Sequence, residues 1–172
     1  MFPLSLEMKG LREEIQRQKL ASELLADLSW LYDEVSHPWW VRHLRSQIET
    51  QGVHGGDPWN FANEPRYRAF KERAVGHDDV FRWEPGREQI VPSLTEIDHP
   101  MHDWTAKPLG YSLSTSAPHA DVFEGGIGPF GEPYPARDPF RTREDQLAEL
   151  DALEQQAIND KLREIGLTVV DR

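Results

Sequence analysis

The sequence predicts a mainly α-helical chain with a long irregular middle, and three observations support that expectation. Apolar residues recur at helical spacing near both ends. Eleven of the thirteen prolines and ten of the twelve glycines fall between Gly52 and Phe140. Six Trp, seven Phe and four Tyr make up much of an otherwise modest apolar content of 38%. At 172 residues the chain can enclose one modest core, so one domain with extensions is expected. Its parts are an N-terminal helical segment over 1–51, an extended loop-rich region over 52–140 with a short helix near 64–75, and a C-terminal helix and tail over 141–172.

Residues 5 to 35 read as helix. Leu4, Met8, Leu11 and Ile15 are spaced 4, 3, 4, and Leu24, Leu28, Leu31 and Val35 repeat the spacing. The nine residues from Ile15 to Leu24 turn a helix through about 900°, which puts the two stripes on opposite sides of one unbroken helix. Either the helix breaks near 16–21 and both stripes join one core, or the first half is an arm that packs on a neighbouring subunit. Ser36 as N-cap and Pro38 in the first turn predict a second helix over about 37–50, ending at Gly52. Asn63, Pro65 and Gly76 bound the third, with Tyr67, Phe70 and Ala74 as its apolar side.

Proline and glycine at this density exclude long helices and central strands from most of the middle. At most a small β-hairpin is expected, from the runs Asp79–Glu84 and Arg87–Val91 around Pro85-Gly86, with another short strand over Leu109–Ser114. For the last helix, Thr142 is the expected cap with Asp145 three residues on, and Gly166 the stop; Leu147, Leu150, Leu153, Ala157, Leu162 and Ile165 give its apolar side. The tail Leu167–Asp171 could add an edge strand or clip onto a partner.

A net charge of −11 and a pI near 5.0 argue against a general nucleic-acid binder, which needs cationic side chains to neutralise phosphates, and against a negative membrane surface. Without cysteine there is no disulfide framework, thiolate metal site or cysteine nucleophile. No apolar run approaches a membrane span and Met1–Leu4 lacks the pattern of a signal peptide, so a cytoplasmic protein, or a virion component if viral, is expected.

The constellations that suggest chemistry are weak. His99, His102, His119 and Asp121 are the metal candidates, because imidazoles and carboxylates can complete a four-ligand shell, but Pro100 interrupts any helical face and the spacing matches no zinc motif. His54 with Asp57, and His77 with Asp78 and Asp79, pair imidazole with carboxylate and read most simply as turns. Gly125–Gly128 lacks the strand, helix and Lys-Ser/Thr of a phosphate loop. Ser112, Ser114 and Ser116 sit in no nucleophile elbow. Arg66, Arg68, Lys71 and Arg73 form a basic cluster that reads as a solvated helix face or a grip for an acidic protein surface.

The composition is similar to that of small subunits of large assemblies, including virion capsid, neck and tail components. Aromatic rings recurring through extended chain are a way to wrap a partner. The function expected is therefore a non-enzymatic structural or adaptor subunit, needing no cofactor, that contacts other subunits or copies of itself. Trp39, Trp40, Trp83, Trp104, Phe123, Phe130 and Tyr134 are the expected contact anchors. The alternatives are a metal-dependent enzyme using the His/Asp loop cluster and a small monomeric regulatory binding module.

Overall fold

The computed structural model describes residues 5–59, 65–76, 90–117, 126–127, 133–134 and 136–168. Of these, 64% are helical, as the patterning predicts. The helices are α1 (Ser5–Ala26), α2 (Ser29–Leu31), α3 (His37–Glu49), α4 (Pro65–Val75), α5 (Ile90–Thr95) and α6 (Glu144–Glu164). Two antiparallel ribbons accompany them, β1 (His102–Lys107) with β2 (Gly110–Thr115), and the two-residue strands β3 (Gly126–Ile127) with β4 (Pro133–Tyr134).

α1 does not break near 16–21; it runs unbroken to Ala26, since Gln16 to Ala21 offer no helix breaker. It stops because the next backbone groups bond elsewhere. Asp27 accepts the Ser29 N–H at 3.0 Å, and the Leu28 N–H donates to the Pro108 carbonyl at 3.0 Å, in the turn of the β1–β2 ribbon. The first stripe stays out of the core: Leu11 and Ile15 are each 58% exposed. The second divides across the break, with Leu31 buried and Leu24, Leu28 and Val35 half-buried.

Ser36 caps nothing. Its backbone is helical (φ −68°, ψ −42°), and Tyr32–Ser36 form a π-helical turn joining α2 to α3 without interruption. Pro38 accounts for the turn, because proline offers no N–H to the preceding turn and its ring crowds the carbonyl there, and one widened turn relieves both. The Ser36 hydroxyl instead donates to Glu154 Oε1 at 2.6 Å, tying the turn to α6. α3 ends close to the expected Gly52: Gln51 takes the left-handed conformation (φ 52°), which lets the Gly52 N–H reach the Gln47 carbonyl at 2.8 Å.

The core sits where α3, α5 and the inner face of the β1–β2 ribbon meet: Leu44, Ile90, Leu94 and Ala117, with Met101, Leu113 and Phe140 against them. The strand expected over 109–114 is β2; its partner β1 was not foreseen. The expected hairpin around Pro85-Gly86 lies largely outside the described residues, but Ile90 and Val91, assigned to its second strand, begin α5 instead. α4 matches its predicted span, yet Phe70 and Ala74 are exposed while Lys71 is buried, so its expected apolar side is not the covered one. In α6 the cap falls one residue later than Thr142: the Arg143 N–H donates to Gln146 Oε1 at 2.9 Å. Leu147 is exposed, Leu150 buried, and Gly166 (φ 81°) closes the helix with the Leu167 N–H on the Leu162 carbonyl at 3.0 Å. Leu167 and Thr168 form no strand; the rest of the tail lies outside the described residues.

Candidate functional site

The most specific side-chain arrangement begins with the alternation of β1. His102, Trp104 and Ala106 face inward while Asp103, Thr105 and Lys107 face solvent, and on β2 Tyr111, Leu113 and Thr115 answer them with Ser112 and Ser114 outward. α3 crosses this inner face. His37 Nε2 lies 2.7 Å from His102 Nε2, and the His37 ring stacks on Trp104 at 4.3 Å and 7°. Trp104 Nε1 donates to Asp33 Oδ1 at 2.7 Å, and Trp104 stacks on Tyr111 at 4.9 Å. The π turn presents Asp33 and Tyr32 to this cluster; such turns recur at functional sites because they displace side chains from the regular helical face.

The hydrogen bonds fix the tautomers of the neutral pair. His102 Nδ1 lies 2.7 Å from the Ser93 carbonyl oxygen, which only accepts, so Nδ1 holds the proton and Nε2 is an acceptor. The facing nitrogen of His37 therefore donates. Burial lowers the His37 pKa, and the nearby His102 imidazole lowers it further, against a smaller opposing pull from Asp33. The pair clasps the start of α3 to the ribbon through a single N–H···N hydrogen bond.

A second imidazole group sits one and a half turns along α3. His43 stacks on Trp39 at 5.1 Å and 8°, lies 4.9 Å from the His54 ring, and donates from Nε2 to the Arg141 carbonyl at 3.0 Å. Its Nδ1 is buried with no hydrogen-bond partner among the described residues. Burial lowers its pKa; the bond to Arg141 opposes this, and the charges of His54 and Arg143 add to the lowering. Gln47 braces the same junction, accepting from the Gly55 N–H and donating to the Arg141 carbonyl, both at 2.8 Å. Trp40 links the two groups by donating to the Tyr111 hydroxyl at 2.8 Å.

Of the metal candidates only His99 and His102 fall among the described residues. His99 Nδ1 accepts its neighbour's Met101 N–H at 3.2 Å, both ring nitrogens of His102 are engaged as above, and His119 and Asp121 lie outside the described residues. Among the described residues no three His, Asp or Glu side chains converge in a way that could hold a metal ion. Asp57 pairs with Arg141 at 3.0 Å, not with His54, and His77–Asp79 are not described. Gly126 and Ile127 of the glycine run form β3. In the basic cluster Arg68 pairs with Glu72 at 3.5 Å, and Arg66 and Arg73 flank Ala69 and Phe70 in an open groove of about 610 Å³.

Of the expected contact anchors, Trp39 is 4% exposed and Trp40 and Trp104 are half-buried, all three against this chain's own rings. Trp83, Phe123 and Phe130 lie outside the described residues, as does the side chain of Tyr134. Sequence reasoning passed over His37 and His43. Their helical spacing to Trp40 and Leu44 placed them on the buried side, but nothing local showed that His102, 65 residues away, would meet them. No protein-family model, curated protein or solved structure matches this chain. Among the described residues no helix is long and apolar enough to cross a membrane.

Proposed function

We propose that this chain is a non-enzymatic subunit of a larger protein assembly, of the kind found in virion capsids, necks and tails, and that α1 is its principal contact arm. One observation supports this most directly. Every residue from Gly10 to Leu20 is exposed, although Leu11 and Ile15 form an apolar pair on one face. A helix of this length gains too little from propensity alone to persist in water, and Gly10 in its interior weakens it by about 1 kcal/mol relative to alanine. A covering surface supplied by another subunit removes both problems.

Trp83, Phe123 and Phe130 would add further contacts to other subunits. Trp39, Trp40 and Trp104 serve instead to hold α3 on the ribbon. Hydrogen exchange on the purified chain, run alongside a light-scattering mass, tests the proposal. Amides of residues 10–20 should be unprotected in a dilute monomer and protected once the mass rises. Strong protection of these amides in a monomer would refute it.

A further inference from the structure

Because α1 is unbroken, its exposed apolar residues can be placed in a single frame. Leu11, Ile15, Gln18, Ser22 and Leu25 follow at spacings of 4, 3, 4 and 3, the 3.5-residue repeat of a coiled-coil seam. All five are exposed, Leu11 and Ile15 at 58% and Leu25 at 44%. The seam is distinct from the side on which α1 meets its own chain: Ala21 is buried and Leu24 half-buried, and they point about 80° and about 140° around the helix from it. In heptad terms Ile15 and Ser22 are a residues, and Leu11, Gln18 and Leu25 are d residues.

The flanking charges select the occupant. Glu14 takes position g; Arg12 and Lys19 take position e. In a parallel, in-register pair, each g residue meets the e residue five positions on in the other helix. That sets Glu14 against Lys19 of the second copy. An antiparallel pair would set glutamate on glutamate and cation on cation. Ile15 at a with Leu11 and Leu25 at d is the combination that favours two strands, and the polar Gln18 and Ser22 fix register at some cost in stability. Within the monomer Glu14 pairs with Arg17 at 3.7 Å and accepts from Gln18 Nε2 at 2.9 Å, and Lys19 pairs with Glu23 at 3.7 Å, all exposed contacts that are weak and readily exchanged.

We propose that α1 forms a parallel two-stranded coiled coil with α1 of a second copy of this chain. The inference rests on the reading of the chain as an assembly subunit and names the partner of its arm. A two-fold axis along the seam would leave the α3–ribbon body and the 52–140 stretch of both copies free for other subunits.

The test uses the full chain in sedimentation equilibrium. Wild type should approach twice its 19.9 kDa mass with rising concentration, and Ile15→Asp should weaken pairing by at least about a hundredfold while leaving the thermal midpoint of the monomer unchanged. Glu14→Lys and Lys19→Glu should each weaken pairing about three- to tenfold, since each affects two surface ion pairs per dimer, and the double variant should restore wild-type affinity. As the chain has no cysteine, Gln18→Cys gives an orientation readout: glutathione-buffered oxidation should link parallel copies into a disulfide dimer.

A dimer that survives Ile15→Asp, or charge variants that do not rescue each other, would overturn the coiled coil and leave the subunit reading standing. A chain monomeric to about 200 µM with α1 unprotected would likewise overturn self-pairing alone, pointing to a different partner for the arm. A monomer with α1 protected would overturn both.

Discussion

Gln47 offers the sharpest test of how the fold is held. It is fully buried; Oε1 accepts from the Gly55 N–H and Nε2 donates to the Arg141 carbonyl, both at 2.8 Å. In Gln47→Leu, which nearly conserves shape, the Arg141 carbonyl keeps a donor, since His43 Nε2 also reaches it at 3.0 Å. The Gly55 N–H has no such substitute. An orphaned buried N–H costs about 1–3 kcal/mol, and loss of the bond to Arg141 about 1 kcal/mol more, partly offset by the added apolar burial of leucine. The net expectation is a loss of about 2–3 kcal/mol, or a thermal midpoint lower by roughly 4–12 °C for a chain of this size. Urea titration reads it as a lower midpoint at unchanged slope. Gln47→Glu separates hydrogen bonding from packing. A carboxylate still accepts from Gly55 but opposes the Arg141 carbonyl, so that variant should be less stable than wild type near pH 7 and recover partly on acidification. A Gln47→Leu loss below about 0.5 kcal/mol, within the range of a neutral surface change, would refute the brace.

Four further outcomes follow from the geometry. His37 and His43 both have lowered pKa values, so the unfolded chain binds more protons between the folded and unfolded values. Stability is therefore fully present above about pH 6.5 and falls as pH drops through that value, by at most about 1.4 kcal/mol per pH unit for each histidine. Urea midpoints at pH 7.5, 6.0 and 5.0 should trace this fall and His37→Phe should flatten it; a wild-type profile with no slope would count against the clasp. An alanine Cβ at Gly55 would overlap the Gln47 amide and lie 2.5 Å from the Arg141 carbonyl oxygen, so Gly55→Ala should cost more than about 3 kcal/mol. Gly10→Ala meets nothing within 4 Å and should instead stabilise α1 by roughly 0.5–1 kcal/mol, seen as increased helicity. Leu44→Ala, at the centre of the core, should cost about 2–5 kcal/mol in the same urea assay.

What the sequence made legible depended on whether the cause was local. α4 and the end of α3 were found because Pro65, Gly76 and Gly52 act through their own backbone angles. Ser36 and Pro38 misled because the same pair that starts a helix can also sit in a widened turn when the chain on both sides is already helical. The β1 strand was missed although His102–Lys107 alternates, because Pro100 and the paired histidines drew the reading toward a loop. The His37–His102 contact depends on α3 crossing the ribbon, which no local spacing encodes. In α1 the 4, 3, 4 spacing was visible, but its continuation through Gln18 and Ser22 to Leu25 was hidden by two polar residues and by the competing possibility of a break.

The aromatic residues bear on the assembly reading in a way that composition alone obscured. The rings were expected as contact anchors; Trp39, Trp40 and Trp104 pack on imidazoles and on Tyr111 within the chain. Those rings add buried area to the cluster of Leu44, Ile90 and Leu94 that holds the two-stranded ribbon against α3 and α5, because an isolated hairpin is marginal in water. The outward apolar surface of α1 is aliphatic and set on a different helix. On the proposed reading fold stability and association rest on separate residues, and each should respond to its own perturbation: acid or His37→Phe should change the unfolding midpoint of a monomer, whereas Ile15→Asp should change mass and leave that midpoint where it was. A variant set in which the two properties moved together would mean that α1 belongs to the core after all.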